Sequence, residues 1–92
     1  MSDDRFHATV AGQVQGVGFR HFVWQRGQHL GLRGWVRNMP DGRVEAMVQG
    51  PRASLDIMEA YLRRGPASAR VDHFEVEYLP ADDVLGIFDI RY

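Results

Sequence analysis

The chain reads as an α+β sandwich, with two amphipathic helices covering one face of an antiparallel sheet. Three observations predict it. Apolar residues alternate in several short segments, which marks half-buried strands. They recur at three- and four-residue spacing in two longer segments, which marks helices. Glycine- and proline-containing turns separate these segments in the order strand, helix, strand, strand, helix, strand.

The first strand is Phe6-His7-Ala8-Thr9-Val10, with Phe6, Ala8 and Val10 on one face. A helix follows over Phe19 to Leu30, where Phe19, Phe22, Val23 and Leu30 form the apolar stripe and Gly31 supplies the stop. Leu32 to Asn38 and Arg43 to Gln49 flank Met39-Pro40-Asp41-Gly42, a turn sequence that makes them a hairpin. Gly50-Pro51 opens the second helix, Leu55, Met58, Tyr61 and Leu62 give its buried stripe, and Gly65-Pro66 closes it. Val71 to Tyr78 alternates again, with Phe74, Val76 and Tyr78 inward and His73, Glu75 and Glu77 outward. Ile87 to Tyr92 adds a short fifth strand at the C-terminus, with Phe88, Ile90 and Tyr92 on one face. This βαββαβ order is the split βαβ pattern of ferredoxin-like sandwiches. At 92 residues a single domain spanning residues 1–92 is expected.

Composition removes several chemistries. All 11 cationic residues are arginines and no lysine is present, which excludes Schiff-base chemistry and the Walker lysine. There is no cysteine, which excludes a thiolate nucleophile, zinc–thiolate sites and Fe–S clusters. The formal charge of −1 gives no global attraction for nucleic acid or for an acidic membrane, so neither is an expected partner. Met1-Ser2-Asp3-Asp4 is acidic and lacks an apolar run, so a cytoplasmic location is expected, and so is a monomer.

Anion chemistry, if present, must be local. The segment Gly12-Gln13-Val14-Gln15-Gly16-Val17-Gly18-Phe19-Arg20 joins the first strand to the first helix. Gly16 and Gly18 permit positive φ and let consecutive N–H groups converge on an anion, and the helix start at Phe19 adds further free donors. Arg20 lies in the first helical turn, where a cation opposes the dipole unless it faces something negative. Its planar fork suits two phosphate oxygens. From these residues alone, a glycine-rich turn beside a solvated arginine remains an equal reading. Asn38, the only asparagine, likewise reads as an ordinary turn residue when taken alone. His21 is set aside, because the next residue on a helix points about 100° away from Arg20. His73, Glu75 and Glu77 read as a solvated strand face and not as a metal site.

Two longer motifs change the weight of these residues. Val10 to Arg20 resembles the first signature of the acylphosphatases. Gly34-Trp35-Val36-Arg37-Asn38-Met39-Pro40-Asp41-Gly42-Arg43-Val44, followed by Gly50, resembles their second. The closing Phe88-Asp89-Ile90-Arg91-Tyr92 is similar as well, so the likeness covers essentially the whole chain. The resemblance implies hydrolysis of the carboxyl–phosphate bond of a small-molecule acyl phosphate, without metal or other cofactor. It implies phosphate binding by Gln15, Gly16, Val17, Gly18, Phe19 and Arg20, with Arg20 and Asn38 catalytic: Arg20 as clamp, Asn38 orienting the water. Inorganic phosphate or sulfate is expected to occupy the same loop. A non-catalytic module that binds phosphorylated metabolites is the alternative. If the last segment joins the sheet, the Tyr92 carboxylate is expected to come near the loop and pair with Arg20.

Overall fold

The computed structural model describes residues 3–92; Met1 and Ser2 of the acidic terminus lie outside the described residues. Strand β1 runs over Asp4–Gln13, helix α1 over Phe19–His29, β2 over Arg33–Asn38, β3 over Val44–Gly50, α2 over Arg52–Arg64, β4 over Arg70–Leu79 and β5 over Asp89–Arg91. The expected order is therefore observed. The first strand is longer at both ends than alternation alone showed. Asp4 is part of it, and its carboxylate lies 3.5 Å from the Arg52 guanidinium.

The strands lie in the order β4-β1-β3-β2-β5. Phe6, Ala8 and Val10 of β1, Val36 of β2, and Val44, Ala46 and Val48 of β3 are buried on the helix side of the sheet. Phe19 and Val23 of α1 and Leu55, Met58 and Leu62 of α2 complete that core. Phe74, Val76 and Tyr78 of β4 are only half-buried because β4 is an edge strand. The other face of the sheet has no helix on it. It carries His7, Glu45 and Arg37, with Glu45 accepting from His7 Nε2 at 2.6 Å and from Arg37 Nε at 2.5 Å. Burial pushes the Glu45 carboxyl pKa up, but these two hydrogen bonds outweigh it and hold the pKa below the ordinary value.

Two expectations need correction. The sheet is mixed, because β5 pairs with β2 in parallel. The segment after β4 starts at the end of the sheet where β2 begins, as the Gly34 N–H to Gly86 carbonyl bond and the Arg33–Ile87 bridge show. A strand entering from that end must run in the direction of β2. The apolar face expected for Phe88, Ile90 and Tyr92 also breaks at its last member. Phe88 is buried and Ile90 packs against the core, but Tyr92 lies beyond the pairing and is 99% exposed.

Candidate active site

The β1–α1 loop occupies one end of the sheet, next to the turn that leaves β2. Gly16 and Gly18 have φ of 74° and 78°, and a Cβ at either would meet nothing within 4 Å. Glycine is needed there for its backbone conformation and not for space. Gly18 is the N-cap of α1, and the first helical backbone bond runs from the Phe22 N–H to the Gly18 carbonyl at 3.0 Å. Among the described residues, no protein acceptor meets the N–H groups of residues 15–21. The helix start and the two left-handed glycines thus leave a run of free donors at one end of a helix dipole, the arrangement that binds anions.

A cleft of about 200 Å³ opens beside these donors, lined by Gly16, Gly18, Arg20 and Asn38 among others. The structure therefore brings together the two side chains singled out from sequence, although they lie on different elements. Asn38 ends β2, and its register partner Val44 is fully buried on the helix side, so Asn38 shares that face of the sheet. Its Oδ1 is buried and has no hydrogen-bond partner among the described residues. A buried amide oxygen left unpaired is costly, which marks this one as an acceptor waiting for a donor in the cleft.

Arg20 is held by the C-terminal segment. Its Nη1 lies 3.4 Å from the Arg91 carbonyl, and its guanidinium carbon sits 4.7 Å from the Tyr92 ring centroid. A ring stacked on the face of the guanidinium leaves the in-plane N–H edges available. The expected pairing with the Tyr92 carboxylate is not what holds it. Among the described residues Arg20 has no ion-pair partner, and β5 pairs only as far as Arg91, so the backbone carbonyl and the ring make the contacts.

The Gln15 side chain is bound to the neighbouring turn. Its side-chain amide donates to the Met39 carbonyl at 2.8 Å and to the Arg43 carbonyl at 2.9 Å. Both amide hydrogens are committed to the β2–β3 turn, so only its backbone N–H is free for an anion. The side chain ties the loop to the turn that follows Asn38. Val17 is tied on the opposite side, where its carbonyl accepts from Ser68 Oγ at 2.9 Å. Phe19 is buried and anchors the loop in the core.

Sequence reasoning missed several residues of the cleft. His21 lines it, as do Val14 and Ile90, while Tyr92, expected near the loop through its carboxylate, borders the cleft. The angular separation of His21 from Arg20 does not keep it out of the cleft, which both residues line. The strand alternation placed Ile90 on the core side but carried no sign that this position borders the loop. Among the described residues no three His, Asp or Glu side chains are grouped to hold a metal ion.

Fold and loop together define a small ferredoxin-like domain with a strand-to-helix turn whose backbone donors are free. The acylphosphatase family model matches residues 6–90. An acylphosphatase from Anaeromyxobacter dehalogenans is 51% identical over 89 residues, covering 96% of this chain and 95% of its own. The crystal structure of acylphosphatase from Bacillus subtilis superimposes with a TM-score of 0.92 at 34% identity, covering 97% of this chain and 99% of that one. The structure of an acylphosphatase from Coxiella burnetii gives a TM-score of 0.91 at 37% identity, covering 98% of this chain and 94% of that one. The chain belongs to the acylphosphatase family.

Proposed function

We propose that the chain hydrolyses acyl phosphates to a carboxylate and inorganic phosphate by direct attack of water on phosphorus, with no metal and no covalent enzyme intermediate. The observation that carries this reading is the unpaired Asn38 Oδ1 in the cleft shared by Arg20 and the free loop donors. The phosphoryl oxygens rest against the N–H groups of the Gln15–Arg20 loop and the edge of the Arg20 guanidinium. Asn38 accepts a hydrogen bond from the attacking water and aims its lone pair at phosphorus.

The parts suit the reaction. In a loose phosphoryl transition state the charge is spread over three equatorial oxygens, so positioned donors supply most of the stabilisation. The new bond forms between water oxygen and phosphorus while the bond from phosphorus to the acyl oxygen breaks, and the carboxylate leaves with that electron pair. A carboxylate needs no protonation to leave. The proton lost by water goes to a phosphoryl oxygen, because an amide such as Asn38 cannot take it.

The test is hydrolysis of benzoyl phosphate with a chelator present. Turnover should persist without added metal and fall by about 100- to 1,000-fold in Arg20→Ala and Asn38→Ala, the loss typical of removing a donor aimed at developing charge. Competitive inhibition by inorganic phosphate should survive in Asn38→Ala and weaken in Arg20→Ala. Phosphate binding without turnover in the wild-type chain would support the non-catalytic binding module. Full activity in either variant would overturn the assigned roles.

A further inference from the structure

His21 lines the cleft, and the roles proposed above for holding phosphate and orienting water do not call on it. It is exposed, and its imidazole makes no hydrogen bond or ion pair among the described residues. What it does touch is Trp24, three residues on along the same helix, with ring centroids 5.6 Å apart and planes tilted by 37°. Trp24 in turn packs against the hydrophobic core. The imidazole is therefore a planar surface at the mouth of the cleft, braced from behind by an anchored indole.

In-line displacement sets where the acyl group goes. The attacking water and the leaving oxygen lie on opposite sides of phosphorus. The water is on the side of Asn38, which comes from β2, and β5 with Ile90 and Tyr92 is the next strand in the sheet. The leaving oxygen therefore points away from Asn38 and the sheet edge; away from the sheet the cleft is lined by the loop and by Arg20 and His21 in the first turn of α1. Arg20 in that turn is committed to the phosphoryl group, which leaves His21 as the side chain facing the acyl part.

We propose that His21, braced on Trp24, is an acyl-group subsite that favours planar, aromatic acyl groups over small alkyl ones. A flat acyl group stacks on the imidazole by the same offset geometry that pairs aromatic side chains, and a methyl group covers too little of the ring to gain from it. This inference rests on the proposed phosphohydrolase reading of the cleft and adds the part of the substrate that the loop does not read.

The experiment compares benzoyl phosphate with acetyl phosphate in the wild-type chain, His21→Ala, His21→Phe and His21→Gln. The ratio of their kcat/KM values should fall about three- to tenfold in His21→Ala through a higher KM for benzoyl phosphate, and return toward the wild-type ratio in His21→Phe. The inhibition constant of inorganic phosphate, which lacks an acyl part, is the reference for an intact loop in each variant. An unchanged ratio in His21→Ala overturns the subsite while leaving the hydrolase reading standing. Equal losses of kcat on both substrates also overturn it, since they would show His21 acting on the reaction and not on the acyl group. Recovery by His21→Gln and not by His21→Phe overturns stacking in favour of a hydrogen bond. A wild-type chain that hydrolyses neither substrate removes the hydrolase reading and the subsite with it.

Discussion

Residues 80–88 and residues 14–18 are both irregular, and both connect the sheet to its next element, but they treat their backbone polar groups in opposite ways. In the first segment the carbonyls of Pro80, Asp82, Asp83 and Leu85 accept from Arg5, Gln49 and Arg33, and that of Phe88 accepts from Gln28. Three of its donors are also met: the Asp82 N–H donates to Gln49 Oε1 at 2.6 Å, the Val84 N–H to Asp82 Oδ1 at 3.1 Å and the Leu85 N–H to the Asp82 carbonyl at 3.3 Å. In the second segment the carbonyls of Val17 and Gly18 are tied down while the N–H groups of Gln15, Gly16, Val17 and Gly18 are not. The loop is thus held through its acceptors and open through its donors. Only that polarity can receive an anion, and it places a run of unmet donors at the site.

The largest expected effect comes from disturbing the open segment. Gly18→Ala forces a Cβ into a left-handed position at a cost of about 1 to 2 kcal/mol. Relief of that strain turns the loop donors aside, so kcat/KM for benzoyl phosphate should fall about 10- to 100-fold. Steady-state kinetics with a parallel melting curve separates the two effects. A variant that keeps full activity would show that the donors do not need this backbone.

Disturbing the tied segment should do the reverse. Gln49 is 2% exposed and pairs with both the N–H and the carbonyl of Asp82. Gln49→Ala leaves the N–H unmet and the carbonyl with only the Leu85 N–H at 3.3 Å, a loss of about 1 to 2 kcal/mol and a fall in Tm of about 4 to 16 °C for a domain of this size. The kcat of the folded enzyme at low temperature should not change. A drop in kcat there would mean that the two ends of the sheet are coupled.

Gln15 lies between these cases, since its side chain ties the open loop to the Asn38 turn. The carbonyls it binds are already met by the turn's own bonds, Gly42 N–H to Met39 and Met39 N–H to Arg43. Gln15→Leu should therefore cost little stability. It should lower kcat about tenfold by letting Asn38 drift from the loop, with little change in inhibition by phosphate. A rise in the phosphate inhibition constant without a fall in kcat would show the side chain acting on phosphate and not on Asn38.

The smallest effect concerns neither segment and serves as their control. Glu45 on the open face of the sheet has a pKa lowered in the folded state, burial being outweighed by its bonds from His7 and Arg37. A lowered folded-state pKa stabilises the fold fully above the unfolded-state value and loses that contribution as pH falls through the folded-state value. Glu45→Gln should cost about 1 kcal/mol at neutral pH, and the gap to wild type should close as pH falls below the ordinary carboxylate range. Melting curves from pH 7 to pH 3 measure it. A gap that widens on acidification would have the wrong sign.

Much of this was legible from the residues. Alternation in Phe6–Val10 and Val71–Tyr78 and the helical stripe of Leu55, Met58 and Leu62 reflect burial on one face of a regular element, which has a period. The glycines at 16 and 18 announced a loop able to adopt positive φ. The extent of β1, the direction of β5 and the exposure of Tyr92 were not legible, because each depends on which strand lies alongside. Nor was the cleft position of His21.

The sequence by itself determined the order of the elements, the loop with its two left-handed glycines, and the absence of lysine and cysteine chemistry. These are local properties of side-chain type and backbone freedom, and they are written residue by residue. The tertiary structure alone decided that Asn38 Oδ1 is buried unpaired beside Arg20, that the Gln15 amide is spent on the neighbouring turn, and that His21 and Tyr92 border the same cleft. Those facts depend on contacts between residues about 20 to 70 positions apart, and only the packed sheet brings such groups within hydrogen-bonding reach.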